Sequence, residues 1–350
     1  MVTEDAGISV LIPKEMKFLR VLLFALIASV LSLTPMRAAK IYNRYGMVLV
    51  EEKDGRYTIK DAKAYEPLIG DPYQLPDALV PYEAEVPAYD KAAMEKVTPE
   101  TVVYKKSVTG EDLPLMVYRS GRSNSPVVFL IHGGGWVSGS YKGAAAFCKT
   151  LAGKYGVTVV SIEYSFATAP GVRMDHSIDD CYDAVEYVLA RADEFGIDPQ
   201  RIGFVGSSAG GHLSACCAMH FPQTRAYAGW YGAYDLQYTM DNYAPASNAG
   251  KHQRYDVFLG GWDPAYIAGV SPVKMAESLK GLSYKVILFT GTADITIGPD
   301  NARRYRDALA GAGITDIKVV TYENVTHTIG KSYAAADMYS TSLQLFAESL

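Results

Sequence analysis

The sequence predicts an α/β fold, with a mostly parallel central sheet, helices on both faces and an irregular, lid-like insertion. Three observations predict it. Apolar runs rich in β-branched residues alternate with segments of helical spacing over roughly 250 residues. Several of those runs, "VVFLIH" (127–132) and "VTVVSIEY" (157–164) among them, are continuous, as strands covered on both faces require. The stretch 235–265 then breaks the rhythm, being polar, aromatic and without a period, which is the mark of a binding loop or lid.

The N-terminus reads as a targeting segment. Lys17 and Arg20 make a short basic region, Val21 to Leu31 is an unbroken run of apolar and small residues, and a small-residue tail ends at Ala38-Ala39. The apolar core is shorter than the roughly 20 residues that span a bilayer. A cleaved signal peptide is therefore expected over residues 1–39, and with it export to the periplasm or medium; an uncleaved anchor is the alternative. Residues 1–15, with the acidic pair Glu4-Asp5, read as an upstream start before Met16. Residues 40–97 are rich in proline and tyrosine, and prolines at 67, 72, 76, 81 and 87 exclude a long helix or a central strand there. An extended, wrapping or spacer segment is expected, followed by one domain over 98–350.

Within that domain "TVVYKKSV" and "LPLMVYRS" alternate as half-buried strands. "KGAAAFCKTLAGKYG" is helical and stops at Gly156. "DHSIDDCYDAVEYVLARADEFG" carries apolar residues at Ile178, Cys181, Tyr182, Val185 and Val188, so one helix ending at Gly196 is expected. "IDPQRIGFVG", "YAGWYG", "YKVILFTG" and "IKVVTYE" continue the strands, with helices after Ser208, after Pro299 and from Lys331.

Charge and cysteines exclude some functions. With a net charge of -5 and basic residues grouped no further than Lys105-Lys106 and Arg303-Arg304, a nucleic-acid surface is not expected. Cys148, Cys181, Cys216 and Cys217 sit in apolar helical patterns, so they read as buried small residues; no zinc-ligand spacing is present.

The chemistry concentrates in two glycine-rich strings. In "GFVGSSAGGHLSA", Gly206-Ser207-Ser208-Ala209-Gly210 fits G-x-S-x-G. A strand that turns into a helix so sharply needs tiny residues two before and two after the serine, which is left exposed at the positive end of the new helix. The second string, "LIHGGGWVSG" (130–139), follows a buried strand. Three consecutive glycines let a backbone approach a ligand and aim N–H groups at it. Gly134 and Gly135, with the N–H of Ala209, are the expected donors to an oxyanion, and losing one such donor costs about 3–4 kcal/mol of transition-state stabilisation. His132 opens the string beside Gly133, and a hydrogen bond that fixes the loop suits it better than the role of base.

"HGGGW", "GSSAGGHLSA" and the intervening "VSIEYSFATAP" resemble the α/β-hydrolase fold. Within it they are similar to the esterase branch related to hormone-sensitive lipase and to exported acetyl (xylan) and feruloyl esterases. The third motif in that branch reads close to Asp-Tyr-Arg-Leu-Ala-Pro-Glu; here Glu163-Tyr164 keeps its start and Ser165 to Pro170 depart from it. The resemblance implies a catalytic triad in the order serine, acid, histidine. Ser208 is the nucleophile it implies, Asp294 the acid after a late strand, with Asp300 the rival better suited to capping a helix, and His327 the base. His212, His220, His176 and His252 are placed less well for that work. No cofactor or metal is implied. The expected substrate is a small-molecule or polysaccharide ester, acetylated or feruloylated carbohydrate first, with Tyr238, Tyr243, Tyr255 and Trp262 available to stack on sugar or phenolic rings. The alternatives are a general short-chain esterase or lipase, a peptidase or amidase on the same fold, and a non-catalytic binding module.

Overall fold

The computed structural model describes residues 90–243, 256–327, 329 and 334–350, together with the strand segments 39–42, 48–53, 56–59 and 82–83. The signal-like segment up to residue 38, His252, Tyr255 and the start of the helix expected at Lys331 lie outside the described residues. Strands β1 (Ala39–Tyr42), β2 (Val48–Lys53), β3 (Arg56–Ile59) and β4 (Tyr82–Glu83) form a small sheet of order β3-β2-β1-β4. Strand pairing in this part of the chain was not expected from its sequence. Its last residues join the domain: helix α1 (Lys91–Glu95) buries Ala93, and Val97 lies in the core.

The main sheet has eight strands: β5 (Glu100–Lys106), β6 (Asp112–Tyr118), β7 (Ser125–Ile131), β8 (Thr158–Ile162), β9 (Ile197–Ser207), β10 (Thr224–Trp230), β11 (Lys285–Gly291) and β12 (Ile317–Tyr322). Their order is β12-β11-β10-β9-β7-β8-β6-β5. The six strands from β12 to β8 run parallel, and β6 and β5 add an antiparallel edge. Period-2 alternation splits the core between two faces. Phe129, Ile131 and Phe204 pack one way, with the helices that carry Val185, Leu213 and Tyr305; Val128, Leu130 and Val205 pack the other way, with Phe147 and Phe346. This double cover explains why the strands read as unbroken apolar runs.

The order also decides where a site can form. From β7 the chain moves outward to β8, then crosses back to β9 and continues the opposite way to β12. The reversal leaves a crevice at the carboxyl ends of β7 and β9, where ligands bind in open α/β sheets. The glycine loop leaves one of those ends and Ser208 the other.

Four elements differ from the sequence expectation. The helix α2 (Ala145–Thr150) loosens into a π turn over Leu151–Tyr155 before Gly156 ends it with φ 75°. The helix expected to run to Gly196 breaks into α3 (Met174–Leu189) and α4 (Ala192–Phe195) at Arg191, whose φ of -118° and ψ of 33° are not helical. The insertion is not wholly irregular. After helix α5 (Ala209–His220), it contains α6 (Leu236–Tyr243), in which Leu236, Thr239 and Met240 recur at helical spacing and are buried. Beyond it the chain forms α7 (Pro264–Val270) and α8 (Pro272–Ser278), each with proline at its start, where the missing N–H costs nothing. Asp300 does not cap α9 (Asp300–Ala312); Pro299 holds that position and Asp300 opens the first turn, paired with Arg303. The last helix is α10 (Ala335–Ser349). All four cysteines are buried and free.

Candidate active site

Ser208 lies between β9 and α5 with φ 54° and ψ -118°, a backbone conformation that an L-residue adopts only under constraint. The constraint is visible on both sides. Ser208 donates its N–H to Trp230 O at 2.9 Å, and its C=O accepts from His212 N at 3.1 Å. A methyl group at Gly206 would strike Gly210 O and come to 2.6 Å from Ser214 Oγ, and one at Gly210 would strike the carbonyls of Ile131 and His132. The tiny residues around the serine are therefore a packing requirement.

The serine hydroxyl donates to His327 Nε2 at 2.7 Å, and His327 Nδ1–H donates to Asp294 Oδ2 at 2.8 Å. Three segments separated by 33 and 119 residues thus converge on one line of hydrogen bonds. Asp294 is buried, and its Oδ1 accepts from the N–H groups of Thr296 at 2.9 Å and Ile297 at 3.2 Å, so the turn after β11 fixes one carboxylate oxygen and leaves the other to His327. That turn is held in its own place by buried Asn301. Its Oδ1 accepts from Tyr234 N at 2.9 Å and Asp235 N at 2.8 Å, and its amide donates to Thr239 Oγ1 and Ile297 O. One side chain thereby joins the insertion to the acid turn.

The loop after β7 lies directly on the elbow. A methyl group at Gly133 would sit 2.7 Å from Ser207 O and 3.2 Å from Ser208 Cβ, so only glycine allows this approach. Gly134 (φ 131°) and Gly135 (φ 61°) carry the backbone on, and Trp136 follows at φ 58°. That costly tryptophan conformation is held by Ala167 N donating to Trp136 O at 2.7 Å and by the indole N–H donating to His212 Nδ1 at 3.3 Å. Ala209 begins α5, where the first N–H groups have no partner within the helix. An oxyanion on a group attached to Ser208 would meet those amides and the positive end of α5.

The other described histidines have structural partners. His212 accepts from Trp136 on Nδ1 and donates from Nε2–H to Val270 O at 2.8 Å, which is the pattern of a neutral ring. His220 stacks on Tyr182 at 4.0 Å, and His176 accepts from Arg173 N at 3.1 Å. His132 Nδ1 lies 2.8 Å from Gly133 O and Nε2 lies 2.7 Å from Glu163 Oε1. Glu163 is a contributor that the sequence reasoning passed over. A carboxylate that ends the buried run "VTVVSI" needs a partner, and that was the signal available. Tyr231, at φ 43°, is another; its ring stands edge-on to His327 at 5.2 Å. Of the aromatic residues expected to stack on substrate, Tyr238 has the Arg304 guanidinium 4.2 Å above its ring, and Trp262 is half-buried against the core. The side chains of Tyr243 and Tyr255 lie outside the described residues.

Burial pushes the His212 imidazole down to about 4, partly offset by its bond to Val270. An unfolded chain binds this proton below about pH 6.5, whereas the folded one refuses it until about 4. Stability is full above the upper value and falls by about 3 kcal/mol as pH drops through that window, then levels off. Urea midpoints measured from pH 7 to 4 should show that loss in the wild type and a shallower slope in His212→Gln. Equal slopes would show that His212 does not carry it.

A serine on a strand-to-helix elbow at the switch point of an α/β sheet, with a histidine and an aspartate from the later loops in line with it, defines the class of α/β hydrolases. The chain belongs to the alpha/beta hydrolase fold family, which its residues 128–330 match. Among curated proteins it is 28% identical over 241 residues to a probable isoprenylcysteine alpha-carbonyl methylesterase of Oryza sativa subsp. japonica, covering 62% of this chain and 53% of that protein. It is 30% identical over 220 residues to a carboxylesterase of Mycobacterium tuberculosis, covering 58% and 67%. The chain spans about half the length of the first curated relatives it matches. Among solved structures, a thermophilic esterase of Thermogutta terrifontis with butyrate bound aligns at a TM-score of 0.59 and 26% identity, over 75% of this chain and 95% of that one. The same esterase has been solved phosphorylated by paraoxon.

Proposed function

We propose that the protein is a carboxylic-ester hydrolase that works through an acyl-enzyme on Ser208. The observation that carries this reading is the continuous line Ser208–His327–Asp294, set against a glycine loop that no side chain separates from the elbow. His327 takes the serine proton as Oγ attacks the ester carbonyl, and Asp294 orients the imidazole and stabilises its charged form. The amides of Gly134, Gly135 and Ala209 hold the oxyanion. His327 then protonates the leaving alcohol, and a water repeats the sequence to release the acid.

For the substrate we propose an acetyl or feruloyl ester of carbohydrate, supported by the export pattern in residues 16–39. A second reading, a short-chain ester hydrolase, is supported by the likeness to an esterase that holds butyrate. Hydrolysis of 4-nitrophenyl acetate, butyrate and octanoate, acetylated xylan and methyl ferulate separates them. Turnover of xylan acetate or ferulate above the nitrophenyl esters is the expected result, and preference for the nitrophenyl esters alone supports the second reading. No turnover of any ester would sink both.

A further inference from the structure

The two buried histidines near the elbow differ in one respect. His212 faces one donor and one acceptor, and a neutral imidazole satisfies both. His132 faces two acceptors, the Gly133 carbonyl at 2.8 Å and the Glu163 carboxylate at 2.7 Å. A neutral ring carries one N–H and one lone pair, so one of these contacts would set lone pair against lone pair. The ring has little room to turn away. It stacks on Tyr164 with centroids 4.6 Å apart and planes 18° apart, Phe166 meets its edge, and Gly139 packs against it so closely that a methyl there would strike the ring.

We propose that His132 and Glu163 hold one extra proton between them, as an imidazolium facing a carboxylate, and that this charge polarises the oxyanion loop. An imidazole is a stronger base than a carboxylate, so the proton resides on Nε2. A cationic ring also gains from lying on the face of Tyr164. A further contact fits a carboxylate: Tyr141 N donates to the second Glu163 oxygen at 3.4 Å, while Tyr104 OH holds the residue in place through its backbone carbonyl at 2.8 Å. The consequence reaches the reaction through one peptide unit. The carbonyl that accepts from His132 is that of Gly133, and the N–H of the same peptide belongs to Gly134. Hydrogen bonds in series strengthen one another, and a charged donor strengthens them more. His132 and Glu163 are thus positioning residues, which act on the oxyanion through Gly134. The inference rests on the esterase reading for its catalytic half, and on the hydrogen-bond pattern alone for the proton.

The test is NMR of protein carrying nitrogen-15 histidine. The expected result is a His132 ring with both nitrogens protonated at pH 7, the Nε2 proton lying far downfield of the amides. Glu163→Gln keeps the shape and removes the charge. It should abolish the downfield proton and lower kcat on 4-nitrophenyl acetate about two- to sevenfold, with KM changed by less than about twofold. A merely structural role would move KM or stability instead. A neutral His132 in the wild type, or an unchanged kcat in the variant, overturns the proposal. Paraoxon labelling of Ser208 keeps the two readings apart. If the wild type is not labelled, the esterase reading has failed, and the ring-nitrogen signals still decide the proton.

Discussion

Ser208→Ala should lower kcat on any substrate the protein hydrolyses by about a million-fold, and adding His327→Ala to it should cost almost nothing more. The reason is that the two side chains perform one act. The hydroxyl is 2.7 Å from Nε2, and without the histidine the serine keeps its proton, while without the serine the histidine has nothing to deprotonate. Asp294→Asn should cost about ten-thousand-fold, less than either, because it leaves the nucleophile and base in place and spoils the tautomer and its charge stabilisation. The fold should survive Ser208→Ala. A serine at φ 54° gains nothing from its β-carbon, and alanine carries the same one. The measurement is single-turnover hydrolysis with paraoxon titration of active serines, alongside urea midpoints. If the single and double variants lose activity additively, the serine and histidine are not one unit and the mechanism is wrong.

The residues that make this prediction were legible in the sequence for a physical reason. The elbow demands tiny residues where the backbones of β7 and α5 touch, and it is those positions that "GSSAGG" records. Strands covered on both faces record themselves as unbroken apolar runs, so β7 to β12 could be placed and the order serine, aspartate, histidine read off the loops that follow them. What could not be read depended on partners distant in sequence. The bond between His132 and Glu163 joins residues 31 apart, and the left-handed Trp136 exists only because Ala167 and His212 hold it. The carboxylate at the end of a buried run marks the need for a partner without naming it, and nothing local marks the tryptophan. Helix α6 was missed because its polar and aromatic residues hide a narrow buried stripe of Leu236, Thr239 and Met240. Asp300 misled in a simpler way: an acidic residue suits the first turn of a helix as well as its cap, and the proline before it took the cap.

Gly210→Ala should destabilise the protein by about 3 kcal/mol, although helix propensity alone predicts a gain of about 1 kcal/mol. Gly210 lies in the first turn of α5 at a φ that alanine can adopt, so the backbone gives no objection. The objection comes from what a methyl would meet. Its position is taken by the Ile131 carbonyl, with the His132 carbonyl at 2.5 Å. The first ends the strand β7, paired on either side by β8 and β9, and the second, just beyond it, accepts from Tyr164 OH at 3.1 Å, so neither can withdraw without breaking hydrogen bonds. Relief is available only by moving α5 away from the sheet, and that carries Ser208 away from the glycine loop. Activity should therefore fall together with stability. Gly311→Ala is the control: it lies in α9 with open space where the methyl would go, and should stabilise by about 0.5 kcal/mol. Urea midpoints for the two variants decide between sterics and propensity. If both rise together, the contact at Gly210 is softer than two opposed backbones allow, and the elbow tolerates a larger residue than its geometry implies.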